Sequence, residues 1–459
     1  MIAMTLTEIA EVVGGTAHGR ATVRGPAFLD TRSPEPDGLF VALVGEHVDG
    51  HDFAERAIAA GAVAVLGSRP TAVPTVVVDD VVAAVGLLAR HVVDRVPGLQ
   101  VLAITGSQGK TSVKDYLAQI LERVAETVAT LGNLNNELGV PLTALRVRPT
   151  TRHLVVEMGA RGQGHISYLC GLTPPDVACV LNVGSAHVGE FGGRAAIARA
   201  KGELVEALGP EGVAVLNAGD ELVHAMRGRT RARIVDFGVG GQVRAVDLAV
   251  DSHGRCSFTV VAEQGSGRVT LPQIGRHQVD NALAAAAMAL CVGVELDVVV
   301  AALNAAESRS RWRMERTERP DGLVVINDAY NANPESVEAA LLALADLGVA
   351  GRRTVAVLGE MRELGADASL AHRRVGAFAA RRGIAVVLAV GAAAEQIAAG
   401  AAAEPGWAGQ AVQVAGRAEA LQWLGENVSA SDVVLVKASR GAELEHIVEG
   451  LIVEGTRAP

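Results

Sequence analysis

Val101-Leu102-Ala103-Ile104-Thr105-Gly106-Ser107-Gln108-Gly109-Lys110-Thr111-Ser112 is the stretch from which the rest of the chain can be read. Its apolar start, Val101 to Ile104, has the character of a buried parallel strand. A Gly-rich turn follows, and then apolar residues at Val113, Leu117, Ile120, Leu121 and Val124, the 3.6-residue period of a helix. A strand that turns through glycine into a helix gathers free N–H groups and the positive end of a helix dipole at one point, which suits phosphate. Lys110 would add a point charge for the β- and γ-phosphates, and the Thr111 hydroxyl would reach Mg²⁺. The spacing departs from the usual GxxxxGK[ST], because only two residues separate Gly106 from Gly109 and position 104 is Ile.

The surrounding composition narrows the class. With 459 residues the chain fits two to four domains, and 49% apolar against 20% charged residues leaves little room for disorder. Aromatic residues are 3% and the net charge is −10, so a base-stacking or non-specific nucleic-acid binder and an anionic-membrane partner are not expected. Cys170, Cys179, Cys256 and Cys291 show no CxxC pair and read as reduced core residues. No basic leader opens the sequence, and the apolar run 282–294 is shorter than the roughly 20 residues a bilayer needs. The expectation is a cytoplasmic protein. Only Lys110, Lys114, Lys201 and Lys437 among 41 basic residues are lysines, so a position that keeps Lys invites a chemical reason that Arg cannot meet.

The pattern along the chain predicts an α/β fold in three domains. Residues 1–98 form a small N-terminal α/β domain, with strands at 39–44, 62–66 and 76–78, and Pro97-Gly98 punctuates its end. Residues 99–315 form the central P-loop domain on a parallel sheet, with further strands at 154–156, 177–183 and 213–216. It also carries an antiparallel annex in 238–269 and an Ala-rich helix over 278–290. After a basic segment from Ser308 to Arg319, β/α alternation restarts with strands at 323–326, 354–358, 384–390 and 433–436, so residues 316–459 form a C-terminal Rossmann-like doubly wound domain.

Several polar residues fall at strand ends, where open α/β sheets bind their ligands. Glu157 ends one strand beside the P-loop and is a natural second Mg²⁺ ligand; His187 follows the next strand. Lys201 lies in a helix beside the apolar stripe Ile197, Ala200 and Leu204, a position that suits a lysine of depressed pKa. A neutral amine there can take up CO₂ as a carbamate; the plain alternative is a lysine that snorkels or pairs with Glu203 or Glu157. Asp328 and Tyr330 sit at a third-domain strand end and suggest a base or ribose contact; Arg313 could reach a phosphate from the linker. Lys437 and Arg440, after the last strand, are anion-binding candidates, whereas Lys114, one turn into the P-loop helix, is expected to be exposed.

In order, TGSQGKTS, GNLNNELGVP (132–141), EMGA (157–160), AHVGEFG (186–192), AKGE (200–203), GRH…NA (275–282), NDAYNANPES (327–336) and LGEM (358–361) with Glu363-Leu364-Gly365 closely resemble the Mur ligases. These are the ATP-dependent amide-bond-forming enzymes of peptidoglycan precursor synthesis. The resemblance covers nearly the whole chain, and its third-domain motifs favour the member that adds D-alanyl-D-alanine to UDP-N-acetylmuramoyl-tripeptide through an acyl phosphate. It implies that residues 106–112 (Gly106, Ser107, Gln108, Gly109, Lys110, Thr111, Ser112) bind ATP together with Asn281, Arg313, Asp328 and Tyr330. Thr111 and Glu157 would hold a first Mg²⁺, and His187 and a carbamate on Lys201 a second, with Lys110, His187 and Lys201 as the catalytic groups. Thr31, Arg32, Gly45 and His51 in a UDP-binding first domain, with Asn135, Asn136, Lys437 and Arg440, would face the substrates. Action as a monomer is expected. The alternatives are another Mur step, folylpolyglutamate synthase, whose P-loop domain is N-terminal, or a P-loop NTPase that does not ligate.

Overall fold

A computed structural model describes residues 1–184, 188–349 and 351–454. The central sheet is built from six short strands, strongly apolar in its interior and of mixed polarity at its edges. From edge to edge they are Arg233–Phe237, Val213–Asn217, Val177–Val180, Gln100–Thr105, His153–Glu157 and Thr127–Ala129. All pair in parallel. Because side chains alternate along a strand, Val101 and Ala103 enter one core while Leu102 and Ile104 enter the other. The sheet is therefore covered on both faces, as continuous apolar strands require.

One core runs on into the first domain, where Ile9, Leu39, Leu66 and Leu88 are buried together with Val101 and Val156. That domain holds a five-stranded sheet in the order Thr16–His18, Thr75–Val77, Ala64–Gly67, Leu39–Val41, Ala27–Phe28. The expected strand over 39–44 stops at Val41; Val44 is exposed and bridges back to Asp49 across a turn. On the opposite face of the central sheet, the helix His277–Cys291 buries a run of alanines, whose small side chains let it lie close against the P-loop helix Lys110–Leu121. The antiparallel annex is present as Arg244–Val250, Arg255–Ala262 and Gly265–Ile274, with Phe258, Val260 and Leu271 turned into the same core.

The third sheet runs Glu315–Glu318, Val324–Asn327, Val433–Lys437, Thr354–Leu358, Val386–Val390, Gln410–Val414. Only its first strand is antiparallel. The strands Thr127–Ala129, Arg233–Phe237 and Gln410–Val414 were not expected. They are edge strands, half-buried and mixed in polarity, so their apolar signal is weak.

Lys114 corrects its expectation: it is 4% exposed and paired with the neighbouring Asp115. The four cysteines form no disulfide; burial pushes the Cys170 thiol up to about 12 and those of Cys256 and Cys291 up to about 11. Among the described residues no helix is long and apolar enough to cross a membrane.

Candidate active site

The chain leaves Gln100–Thr105 toward one side of the central sheet and later returns on its other side, so a crevice opens at the carboxyl end of this strand. The loop 106–109 fills the base of that crevice and is packed too tightly for side chains at both glycines. A Cβ at Gly106 would lie 2.9 Å from the Leu181 Cβ, and one at Gly109, where φ is +84°, would lie 2.4 Å from Asn281 Oδ1. The backbone N–H groups of Ser107 and Gln108 both donate to Asn182 Oδ1, each at 3.0 Å, and Gly184 N–H donates to Ser107 Oγ at 2.9 Å. Asn182 thus sets the loop from the next strand's end. Its place directly after the apolar run 177–181 was the available signal, and sequence reasoning gave it no role.

The Lys110 amine folds back to donate to the Gly106 carbonyl at 2.8 Å. Beside it the Thr111 hydroxyl donates to Glu157 Oε2 at 2.9 Å, and Asn135 Nδ2 donates to Glu157 Oε1 at 2.7 Å. Glu157 is 2% exposed, and its own N–H is held by Thr130 Oγ1 at 3.0 Å. Hydroxyl and carboxylate are the hard oxygen ligands that a small divalent cation takes, and the Asn135 N–H orients the carboxylate.

Positive charge gathers around that set. Burial lowers the pKa of Lys110; Glu157 opposes the shift and Arg313 adds to it. Lys201, 6% exposed on the helix Arg194–Glu206, is driven well below the ordinary lysine value by burial and then by Lys110. Among the described residues no carboxylate pairs with it. Glu203 points elsewhere and accepts from Gly164 N–H at 2.7 Å and Ser167 N–H at 3.0 Å, capping the helix His165–Leu172. His187 lies outside the described residues.

The third domain closes the crevice. Arg313 stands between two residues of left-handed backbone, Trp312 (φ 60°) and Met314 (φ 52°), and lays its guanidinium 4.2 Å from the centre of the Tyr330 ring. Asp328 accepts from Met314 N–H at 3.1 Å and from Lys437 Nζ at 2.6 Å; Lys437 also donates to the Asn331 carbonyl at 2.8 Å. At 3% exposure Lys437 fastens the Asp328 loop. His277, at the start of its helix, faces this pair; burial, offset by Asp328 and reinforced by Lys437, brings its pKa down to about 4.

The result is one cleft of about 880 Å³. Residues 106–112, Asn135, Asn136, Glu157, Lys201, Asn281, Arg313, Asp328, Tyr330 and Lys437 all line it. Arg440 does not; it stacks on Trp312 at 4.5 Å and pairs with Glu445. The first-domain candidates Thr31, Arg32, Gly45 and His51 also lie outside it. Arg32 is 80% exposed and paired with Asp30 at 2.7 Å. His51 is buried: its Nδ1 lies 2.6 Å from Asp49 Oδ1, and its Nε2 accepts from Ser68 N–H at 2.9 Å, so both ring nitrogens are spent within its own domain.

Three family models match in succession. They are the Mur ligase family catalytic domain over residues 29–105, the Mur ligase middle domain over 104–289, and the Mur ligase glutamate ligase domain over 312–440. A relative from Mycobacterium tuberculosis (strain ATCC 25618 / H37Rv), named UDP-N-acetylmuramoyl-tripeptide–D-alanyl-D-alanine ligase, is 42% identical over 99% of both chains. The chain belongs to the Mur ligase family. Two solved Mur ligases share its architecture. MurF from Acinetobacter baumannii superposes with a TM-score of 0.88 at 33% identity, covering 98% of this chain and 99% of the other. MurF from Thermotoga maritima in complex with ADP gives 0.80 at 28% identity, covering 94% and 98%. As a Mur ligase, the chain has the three-domain α/β architecture of these structures.

Proposed function

We propose that this Mur ligase uses ATP to join D-alanyl-D-alanine to the terminal carboxylate of UDP-N-acetylmuramoyl-tripeptide, in peptidoglycan precursor synthesis in the cytoplasm. The observation that carries the reading is the convergence of Lys110, the Thr111–Glu157 pair and Lys201 with Arg313, Asp328 and Tyr330 in one cleft. Relatives of the same name, similar over the full length, support the choice of substrates. We assign residues 1–98 to the UDP-linked substrate, the central domain to ATP, and the third domain, which holds Trp312–Met314 and begins its sheet with Glu315–Glu318, to closure over both. Action as a monomer is part of this proposal.

The difficulty of the reaction is electrostatic, since a carboxylate must approach a triphosphate. Lys110 and Arg313 are mutually repelling cations, and polyanionic substrates relieve that repulsion; burial and Lys110 hold the nearby Lys201 amine toward its neutral form. The uncapped start of the helix Lys110–Leu121 and Lys110 itself hold the phosphates in this reading, on a loop set by Asn182, with Lys110 exchanging its bond to Gly106 for one to ATP. Transfer of the γ-phosphoryl to the substrate carboxylate breaks its bond to ADP and makes an acyl phosphate. The free amine of the dipeptide then attacks the carbonyl carbon, loses a proton, and expels phosphate as the amide forms.

The residues fit Mg²⁺. The Thr111 hydroxyl and the Glu157 carboxylate are adjacent and buried, two hard oxygen groups at the foot of the cleft. That suits an ion that keeps water and phosphate ligands. When bound, it would neutralise charge on the phosphates. A second ion would be held by His187 and by Lys201 as a carbamate; the buried, deprotonation-prone amine of Lys201 is what supports that modification. Asn281, against Gly109, and Tyr330, under Arg313, are assigned to the adenosine. Asn135 and Asn136 are assigned to the substrate side.

Phosphate release with ATP, Mg²⁺ and UDP-N-acetylmuramoyl-tripeptide tests the reading, with D-alanyl-D-alanine compared against single amino acids and against glutamate with a folate acceptor. Release that requires the tripeptide and the dipeptide together is expected. Release with another pair would reassign the substrates, and hydrolysis indifferent to both would reject ligation.

A further inference from the structure

Three side chains spaced i, i+3, i+6 along the P-loop helix hold the stretch of chain that leads into the third domain. Tyr116 donates to Gln273 Oε1 at 3.0 Å, and Gln273 Nε2 in turn donates to the Ala306 carbonyl at 3.0 Å. Gln119 pairs with the backbone of Glu307 on both sides: it accepts from the N–H at 2.8 Å and donates to the carbonyl at 3.1 Å. Glu122 takes the guanidinium of Arg309 in a bidentate pair at 2.6 and 2.5 Å. Four residues after Arg309 comes Arg313, over Tyr330 at the cleft.

A second anchor lies just beyond. The Met314 N–H donates to Asp328, and the Tyr330 N–H donates to the Trp312 carbonyl at 3.2 Å, so Trp312–Met314 moves with the third domain. Between the two anchors stand only Ser310 and Arg311. One rigid helix therefore carries the phosphate-facing Lys110 and Thr111 at its start and the linker's anchor at its end, and the remaining span to Arg313 is at most about 14 Å of chain.

We propose that Gln119 and Glu122 are positioning residues for the ligase reaction, setting where Arg313 enters the cleft relative to phosphates held by the same helix. The proposal rests on the ligase reading above. Gln119 and Glu122 contact no ligand-facing group; they act through Arg313. The Glu122–Arg309 pair is about two-fifths exposed on both sides, so it contributes little to overall stability, and its effect belongs in the geometry of the closed site.

The test is a charge swap. Glu122→Arg and Gln119→Leu are each expected to lower kcat about tenfold, with the KM for ATP and the thermal midpoint close to wild type. Combining Glu122→Arg with Arg309→Glu is expected to restore most of the lost kcat. Unchanged kcat in both single variants overturns the proposal. So does a loss that the swap fails to recover, or one that follows ATP affinity or unfolding. A second readout needs no turnover: tryptic cleavage after Arg311 is expected to be faster in Glu122→Arg than in wild type, and equal rates overturn the anchor. If wild type releases no phosphate with any substrate pair, the ligase reading fails while the cleavage comparison still decides the anchor.

Discussion

The cleft between the central and third sheets and the open face of the first domain handle charge in opposite ways. In the cleft, Glu157, Lys201 and Lys437 are between 2% and 6% exposed, and Glu157 and Lys437 are held by Asn135 and Asp328, partners 22 and 109 residues away in the chain. In the first domain, Arg32 projects into solvent against its sequence neighbour Asp30, and His51 turns inward to tie Asp49 to the chain at Ser68. The cleft is pre-organised for a polyanion, since Lys110 and Arg313 already repel one another there and burial already works against charge on Lys110 and Lys201. The first domain offers an exposed surface that a ligand must itself order.

The sharpest way to break this contrast is Lys110→Ala. A buried cation aimed at transferring phosphate should cost at least about 10³-fold in turnover when removed. Its folded state is uncomfortable with that charge, so thermal stability should not fall. Retained phosphate release in this variant would reject the P-loop assignment. Lys201→Ala comes next, with an expected loss of about 10²-fold and partial recovery on adding short carboxylates such as acetate or formate, which can stand in for a carbamate. Full activity without them would remove the carbamate from the mechanism.

Much of the cleft could be read from the sequence because parallel sheets convert strand order into position. Apolar runs followed at once by Gly106, Glu157 and Asp328 mark strand ends, and strand ends meet in one crevice. Lys201 was legible for a related reason, a lysine beside a helix's apolar stripe. Lys114 was not: its pairing with Asp115 under neighbouring elements depends on what lies over the helix, which periodicity within the helix does not report. The burial of His51 was hidden in the same way. A histidine followed by aspartate in a polar loop gives no sign that a strand end at Gly67, whose Cβ would lie 2.5 Å from the imidazole, packs over it. The partner of Lys437 was equally hidden, since Asp328 lies 109 residues away.

Lys437→Met probes that hidden pair. With the cation gone, Asp328 keeps a mostly buried negative charge without its partner, and unfolding in urea should show a loss of about 3–5 kcal/mol. Adding Asp328→Asn should recover a large part of it. No change in the single variant would show that Asp328 is satisfied from elsewhere.

A smaller effect is expected from His277 and acid. Its folded value is near 4 and its ordinary value near 6.5. As pH falls from 6.5 toward 4 the unfolded chain takes up a proton that the folded chain refuses, so stability is lost across that window and is unaffected above it. His277→Asn should flatten the dependence of the unfolding midpoint on pH between 6.5 and 4, and leave the midpoint's pH dependence above 7 as in wild type. A slope unchanged by the substitution would mean that other groups, not His277 facing Asp328 and Lys437, carry the acid sensitivity.

Arg32→Ala should be the mildest and the most informative about the first domain. The Arg32–Asp30 pair is solvent-exposed, so its removal should leave the unfolding midpoint unchanged. An exposed guanidinium that meets the UDP-linked substrate contributes one charged contact, worth up to about tenfold in affinity. That loss should fall on the KM for the UDP-linked substrate alone, because Arg32 touches nothing in the ATP cleft and kcat at saturation is set there. Steady-state kinetics with each substrate varied in turn would read this directly. A lower kcat or a higher KM for ATP would mean that the first domain reaches the reacting groups, and the division between an ordered cleft and an open binding face would fail.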